Sequence, residues 1–132
     1  MVGQRAIRKV VDEIARKFDP QRIILFGSYA TGTADEDSDV DLMIVMPHHG
    51  PGHEMATEIR MAVDIDFPSD ILVRSEAEIR VRIKMNDYFM QDVMEEGKVL
   101  YEARGTRMGR QSRGRFQHNA SRVSRAKVAK LR

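Results

Sequence analysis

Apolar residues recur at three- and four-residue spacing from the start of the chain: Ala6, Ile7, Val10, Val11, Ile14, Ala15 and Phe18. That period predicts an amphipathic helix over residues 4–18. Asp19-Pro20 stops it, because a residue before proline is pushed out of the helical region. The pattern then changes. Arg22-Ile-Ile-Leu-Phe26 is a short apolar run ending at Gly27 and reads as a buried strand. A second aliphatic run predicts a strand over residues 40–46. Between the two lie a Gly-Ser turn and a loop dense in carboxylates.

Pro47 to Gly52 is loop material. Residues 54–63 read as a helix with Met55, Ile59 and Val63 on one face, and Asp70-Ile-Leu-Val73 as a third strand. Residues 76–96 read as helical, in two pieces parted near Asn86. Gly97 ends them, and Val99-Leu-Tyr101 makes a last short strand. Met43, Met46, Met55, Met61, Met85, Met90 and Met94 mostly fall at core-facing positions and read as packing. Tyr88 could stand near a base or partner, but its setting favours a helix packing its aromatics. Helices alternating with strands predict an α/β or α+β domain, one small sheet with helices packed on it.

From Arg104 onward this periodicity is lost. Residues 1–103 hold all 20 acidic residues but 12 of the 22 Lys and Arg, a net of −8. Residues 104–132 hold the other 10 and no acid. The overall charge of +2 therefore hides an acidic body, 1–103, and a basic tail, 104–132. The tail reads as disordered or folding on contact, with residues 120–131 able to form one weak basic helix. It could contact RNA phosphates in a salt-dependent way, fold back on the acidic body, or engage an acidic partner. A chain of 132 residues, 42% hydrophobic, has room for one domain with a real core. With no cysteine it has no disulfide, thiolate metal site or cysteine nucleophile. No apolar stretch is long enough to span a membrane and no signal-peptide core is present, so the expectation is a soluble, cytoplasmic protein.

The chemistry concentrates in FGSYATGTADEDSDVDLMIV, residues 26–45. A calcium loop starting at Asp35 would need Gly at its sixth position and Glu at its twelfth, where Val40 and Met46 stand. A P-loop fails likewise, because Thr33-Ala34 replaces the Lys and hydroxyl residue after Gly32. Asp35, Glu36 and Asp37 read as a solvated loop. Asp39 and Asp41 differ, because alternation at the mouth of a strand puts both on one face with Val40 toward the core. Two such carboxylates suit magnesium, which keeps positions open for water and phosphate oxygens. Gly27 permits close backbone approach, and the Ser28 hydroxyl and nearby amides can hold phosphate. His48, His49 and His53 lie at a spacing that could bind zinc, but three loop imidazoles with no carboxylate or thiolate are a poor metal signal.

Gly27-Ser28, ten intervening residues and Asp39-x-Asp41 on an aliphatic strand resemble the signature of the polymerase-β-like nucleotidyltransferases, over roughly residues 5–102. The small size is similar to the minimal nucleotidyltransferase branch. The resemblance implies a small mixed sheet flanked by helices, and transfer of a nucleoside monophosphate from an NTP, ATP by family expectation, with pyrophosphate leaving. By position it implies that Gly27 and Ser28 hold the β- and γ-phosphates and that Asp39 and Asp41 bind two Mg2+ ions. It also calls for a third carboxylate on a neighbouring strand as metal ligand or base, which Asp70 fits best and for which Asp64 and Asp66 are rivals. Minimal members commonly pair with a HEPN-type toxin and neutralise it by attaching AMP to a tyrosine hydroxyl, so an antitoxin is the leading expectation. An RNA, tRNA-end or antibiotic nucleotidyltransferase, or a non-catalytic antitoxin that acts by binding, are the alternatives.

Overall fold

A computed structural model of the chain describes residues 1–104 together with the backbone of Ser124–Arg125 and Val128–Lys130. Helix α1, Gln4–Phe18, buries Ile7, Val10, Val11 and Ile14, one stripe at helical spacing. Asp19 closes it in the left-handed region at φ 48°, donating its N–H to the Ala15 carbonyl. The chain continues through β1 (Arg22–Phe26), a one-turn helix α2 (Ser28–Thr31), β2 (Val40–Val45), α3 (Gly52–Ala62) and β3 (Ser69–Arg74). Helices α4 (Glu76–Lys84) and α5 (Tyr88–Glu96) then precede β4 (Lys98–Glu102).

These four strands form one mixed sheet in the order β3-β2-β1-β4. Strand β1 is antiparallel to both β2 and β4, whereas β2 and β3 run parallel. A parallel pair needs a crossover, and α3 supplies it. Helices α1 and α3 cover one face, where Ile14 and Ile59 pack with Ile23, Leu25, Leu42 and Ile44. Helices α4 and α5 cover the other, where Ile79, Met90 and Val93 pack with Ile24, Phe26, Met43 and Val45. Burial on both faces explains why β1 and most of β2 are uninterrupted apolar runs rather than alternating ones. Each fully buried aliphatic side chain there contributes about 2 kcal/mol of transfer free energy. The expected α+β architecture is the one observed, and among the described residues no helix is long and apolar enough to cross a membrane.

Two details differ from the sequence reading. Met61 and Met85 are 84% and 69% exposed rather than core. Met61 lies two residues, more than half a helical turn, beyond buried Ile59, and Met85 is the residue that ends α4. Tyr88 is likewise exposed at the first position of α5, whose buried face is Met90 and Val93. Beyond residue 104, the described backbone of Ser124–Arg125 (β5) pairs antiparallel with that of Val128–Lys130 (β6). The rest of the expected 104–132 tail lies outside the described residues.

Candidate active site

The site is built at one end of the sheet. Gly27 leaves β1 at φ 75°, ψ −156°, a conformation open to glycine alone, and its carbonyl accepts the N–H groups of Ala30 and Thr31. The chain therefore turns at once into α2, beginning at Ser28. The first amides of a helix have no preceding turn to bond and remain available to an anion. Gly32, at φ 84°, closes the turn by donating to the Ser28 carbonyl. The sequence reading had a simple turn here, and the one-turn helix was not legible in it.

After α2 the acidic loop folds on itself. Asp35 Oδ1 accepts the N–H of Asp37 at 2.9 Å and the Ser38 hydroxyl at 3.1 Å, while Ser38 Oγ accepts the Asp35 N–H at 2.9 Å. Asp35, Glu36 and Asp37 are exposed, as a solvated loop requires. This self-capped turn feeds the chain into β2.

Along β2, Val40, Leu42 and Ile44 enter the α1/α3 layer, so Asp41, Met43 and Val45 turn toward the α4/α5 layer. The same alternation puts Asp39 on Asp41's side. In the parallel ladder Asp41 pairs with Asp70, and in the antiparallel ladder with Phe26. Asp70 shares the face of Leu72, since Ile71 and Val73 enter the opposite layer. Asp39, Asp41 and Asp70 are thus gathered at one strand mouth beside Gly27.

Burial lifts the half-buried Asp41 carboxyl above its ordinary value, and the charges of Asp70 and Asp39 push it the same way. Asp64 and Asp66 exert no such influence and stand exposed in the link between α3 and β3. Among the described residues no basic side chain forms an ion pair with Asp39, Asp41 or Asp70. None of the described His, Asp or Glu side chains already converge as a three-ligand metal cage. The donor set nonetheless fits a hard divalent ion, because magnesium takes one or two carboxylates and completes its shell with water and phosphate oxygens. Three adjacent uncompensated carboxylates are a place where such a cation relieves repulsion.

Among the described residues the loop histidines do not converge as a metal-binding cluster. His48 is tied by one ring nitrogen to the Gly50 carbonyl at 2.9 Å and by the other to Glu78 Oε1 at 2.8 Å. Glu78 also accepts the Ser75 N–H and so completes a capping box at the start of α4. A groove of about 1110 Å³ runs between α1 and β4, lined by Ile7, Arg8, Leu25, Tyr29 and Leu100 among others. It lies away from the carboxylates. Phosphate chemistry depends on placed charge more than on an apolar hollow, so the carboxylate edge is the better candidate.

The geometry has counterparts among known proteins. The family model described as nucleotidyltransferase domain matches residues 7–107. The chain is 31% identical over 115 residues to "Putative protein adenylyltransferase MJ0604" of Methanocaldococcus jannaschii, covering 76% of this chain and 100% of that protein. It is 42% identical over 52 residues to "Putative protein adenylyltransferase MJ0141" of the same organism, covering 39% of this chain and 52% of that one. The crystal structure of a "putative nucleotidyltransferase" from Sulfolobus solfataricus is similar with a TM-score of 0.51 at 18% identity, covering 74% of this chain and 78% of that one. At that identity the likeness is one of fold.

Proposed function

Because the chain belongs to the nucleotidyltransferase domain family, we propose that it transfers AMP from ATP to a hydroxyl of a partner protein. The observation that carries this reading is the gathering of Asp39, Asp41 and Asp70 beside the Gly27-Ser28 turn. The relatives described as protein adenylyltransferases support a protein acceptor. The acceptor we propose is a tyrosine hydroxyl on a HEPN-type toxin, with this chain acting in the cytoplasm as its antitoxin.

In this reading Gly27, the Ser28 hydroxyl and the first amides of α2 bind the β- and γ-phosphates. Magnesium held by Asp39, Asp41 and Asp70 would neutralise phosphate charge and stabilise the attacking and leaving oxygens. The acceptor oxygen attacks the α-phosphorus in line, and the bond from that phosphorus to the bridging oxygen breaks. Pyrophosphate leaves and the acceptor proton passes to the Asp70 carboxylate. The basic tail favours one other acceptor, RNA, whose phosphates it would neutralise.

The test uses ATP labelled on the α-phosphate, magnesium and a lysate of the source cell, with wild type beside the Asp39→Asn/Asp41→Asn variant. Label on one protein band with wild type alone supports protein AMP transfer. Label on RNA promotes the other acceptor. A partner that is bound and neutralised equally by the variant would sink the catalytic reading in favour of neutralisation by contact.

A further inference from the structure

Phosphate and metal groups are common to every nucleoside triphosphate, so the carboxylates and the Gly27 turn leave the base unheld. A base needs a flat apolar surface. Among the described residues, the exposed large aromatics are Tyr88 and Phe89. Both open α5, on the layer toward which Asp41 and Asp70 turn.

Phe89 is held in place. Asp87 caps α5 by accepting the Met90 N–H at 3.2 Å, and Arg82 reaches the same carboxylate at 3.4 Å across the α4–α5 corner. The Phe89 ring meets Phe26 edge to face, with centroids 5.6 Å apart and planes at 85°. Phe26 is buried, stands opposite Asp41 in the sheet, and immediately precedes Gly27. Phe89 is therefore one ring away from both the phosphate turn and the carboxylate strand. Yet 48% of it is exposed. A ring braced on one side and open on the other offers a ready stacking surface.

We propose that Phe89, braced by Phe26, is the stacking platform for the nucleobase of the bound nucleotide, an inference that rests on the nucleotidyl-transfer reading above. Stacking accepts every base because each has a π-face, so the platform holds the nucleobase without choosing among bases. Tyr88, 76% exposed and with no ring partner among the described residues, is not the platform. Val81, Met85 and Tyr88 are each exposed apolar side chains along α4 and the start of α5.

Calorimetric titration of wild type, Phe89→Ala, Phe89→Trp and Tyr88→Ala with magnesium-ATP and with magnesium-tripolyphosphate tests the proposal. Phe89→Ala should bind ATP about tenfold more weakly and tripolyphosphate as wild type does. Phe89→Trp and Tyr88→Ala should bind both as wild type does. Unchanged ATP affinity in Phe89→Ala overturns the platform. An equal loss for both ligands overturns it too, because the effect then lies in the phosphate turn. Wild type binding neither ligand would sink the nucleotidyl-transfer reading itself.

Discussion

Gly27 and Asp41 are in contact across the β1–β2 ladder so closely that a Cβ on Gly27 would lie 2.2 Å from Asp41 Oδ2. The absent side chain is the space the carboxylate occupies. Glycine thus meets two demands, a backbone at φ 75° and room for the most buried acid of the site. Gly27→Ala meets neither. It should cost about 1–3 kcal/mol of stability and, by displacing the carboxylate, on the order of a hundredfold in transfer rate. Urea unfolding and labelled AMP transfer measure the two losses separately. Wild-type values for both would mean that the turn relaxes without cost.

Asp41 is placed at the expense of stability. Burial and the charges of Asp70 and Asp39 raise its pKa in the folded protein above the unfolded value. Over the range between those values the folded state binds more protons, so its stability falls as pH rises. At neutral pH the ionised group opposes folding. Asp41→Asn should therefore melt above wild type in metal-free buffer while losing a hundredfold or more in transfer. Added magnesium should raise the melting temperature of wild type and leave the variant nearly unmoved. Thermal melts with and without magnesium check both statements, and a variant that melts lower would contradict the account.

The arrangement of these residues was largely legible in the chain. Helical and strand periods place α1 and β1–β4, and the alternation at Asp39-Val40-Asp41 puts Val40 in the core, where it is fully buried. The strand that follows Asp70 already favours it over Asp64 and Asp66, but its pairing with Asp41 depends on the parallel register, a long-range property that local pattern cannot give. The Phe26–Phe89 contact is similarly out of reach, because residues 63 apart meet only through the order of strands and helices. Met61, Met85 and Tyr88 were misread because an apolar residue off the buried stripe looks the same in sequence as one on it. Ser75-x-x-Glu78 is a readable helix start, whereas its partnership with His48 is tertiary.

That partnership gives the fold a sensitivity to acid. Burial pushes the Glu78 carboxyl up, but the His48 hydrogen bond, the Ser75 N–H and the charges of His48 and Arg74 outweigh it and hold its pKa below the ordinary 4.5. The unfolded chain then binds more protons than the folded one as pH falls past that value. Stability from Glu78 is complete above it and is lost as pH drops through the depressed value. Glu78→Gln should flatten this part of the stability profile, at a cost of about 1 kcal/mol at pH 7 from the weakened cap. Urea midpoints from neutral pH down into the acid range test it. Parallel profiles for wild type and variant would remove Glu78 as the source.

At the end of the sheet far from the carboxylates, Arg22 is 3% exposed and pairs with Glu76 at the first position of α4. Its Nε is buried with no hydrogen-bond partner among the described residues. Among the described residues, the guanidinium is paired with the Glu76 carboxylate, which is itself a quarter exposed. Taking two charges out of water is expensive, so the pair adds little net stability, but removing one partner strands the other. Glu76→Ala should cost about 3 kcal/mol. Arg22→Met combined with Glu76→Leu removes both charges and keeps apolar volume, and should restore stability to near wild type or above it. A double variant as unstable as Glu76→Ala would show that the guanidinium fills a shape no apolar side chain can. Transfer activity should survive in the double variant, because the pair and the carboxylates lie at opposite ends of β1.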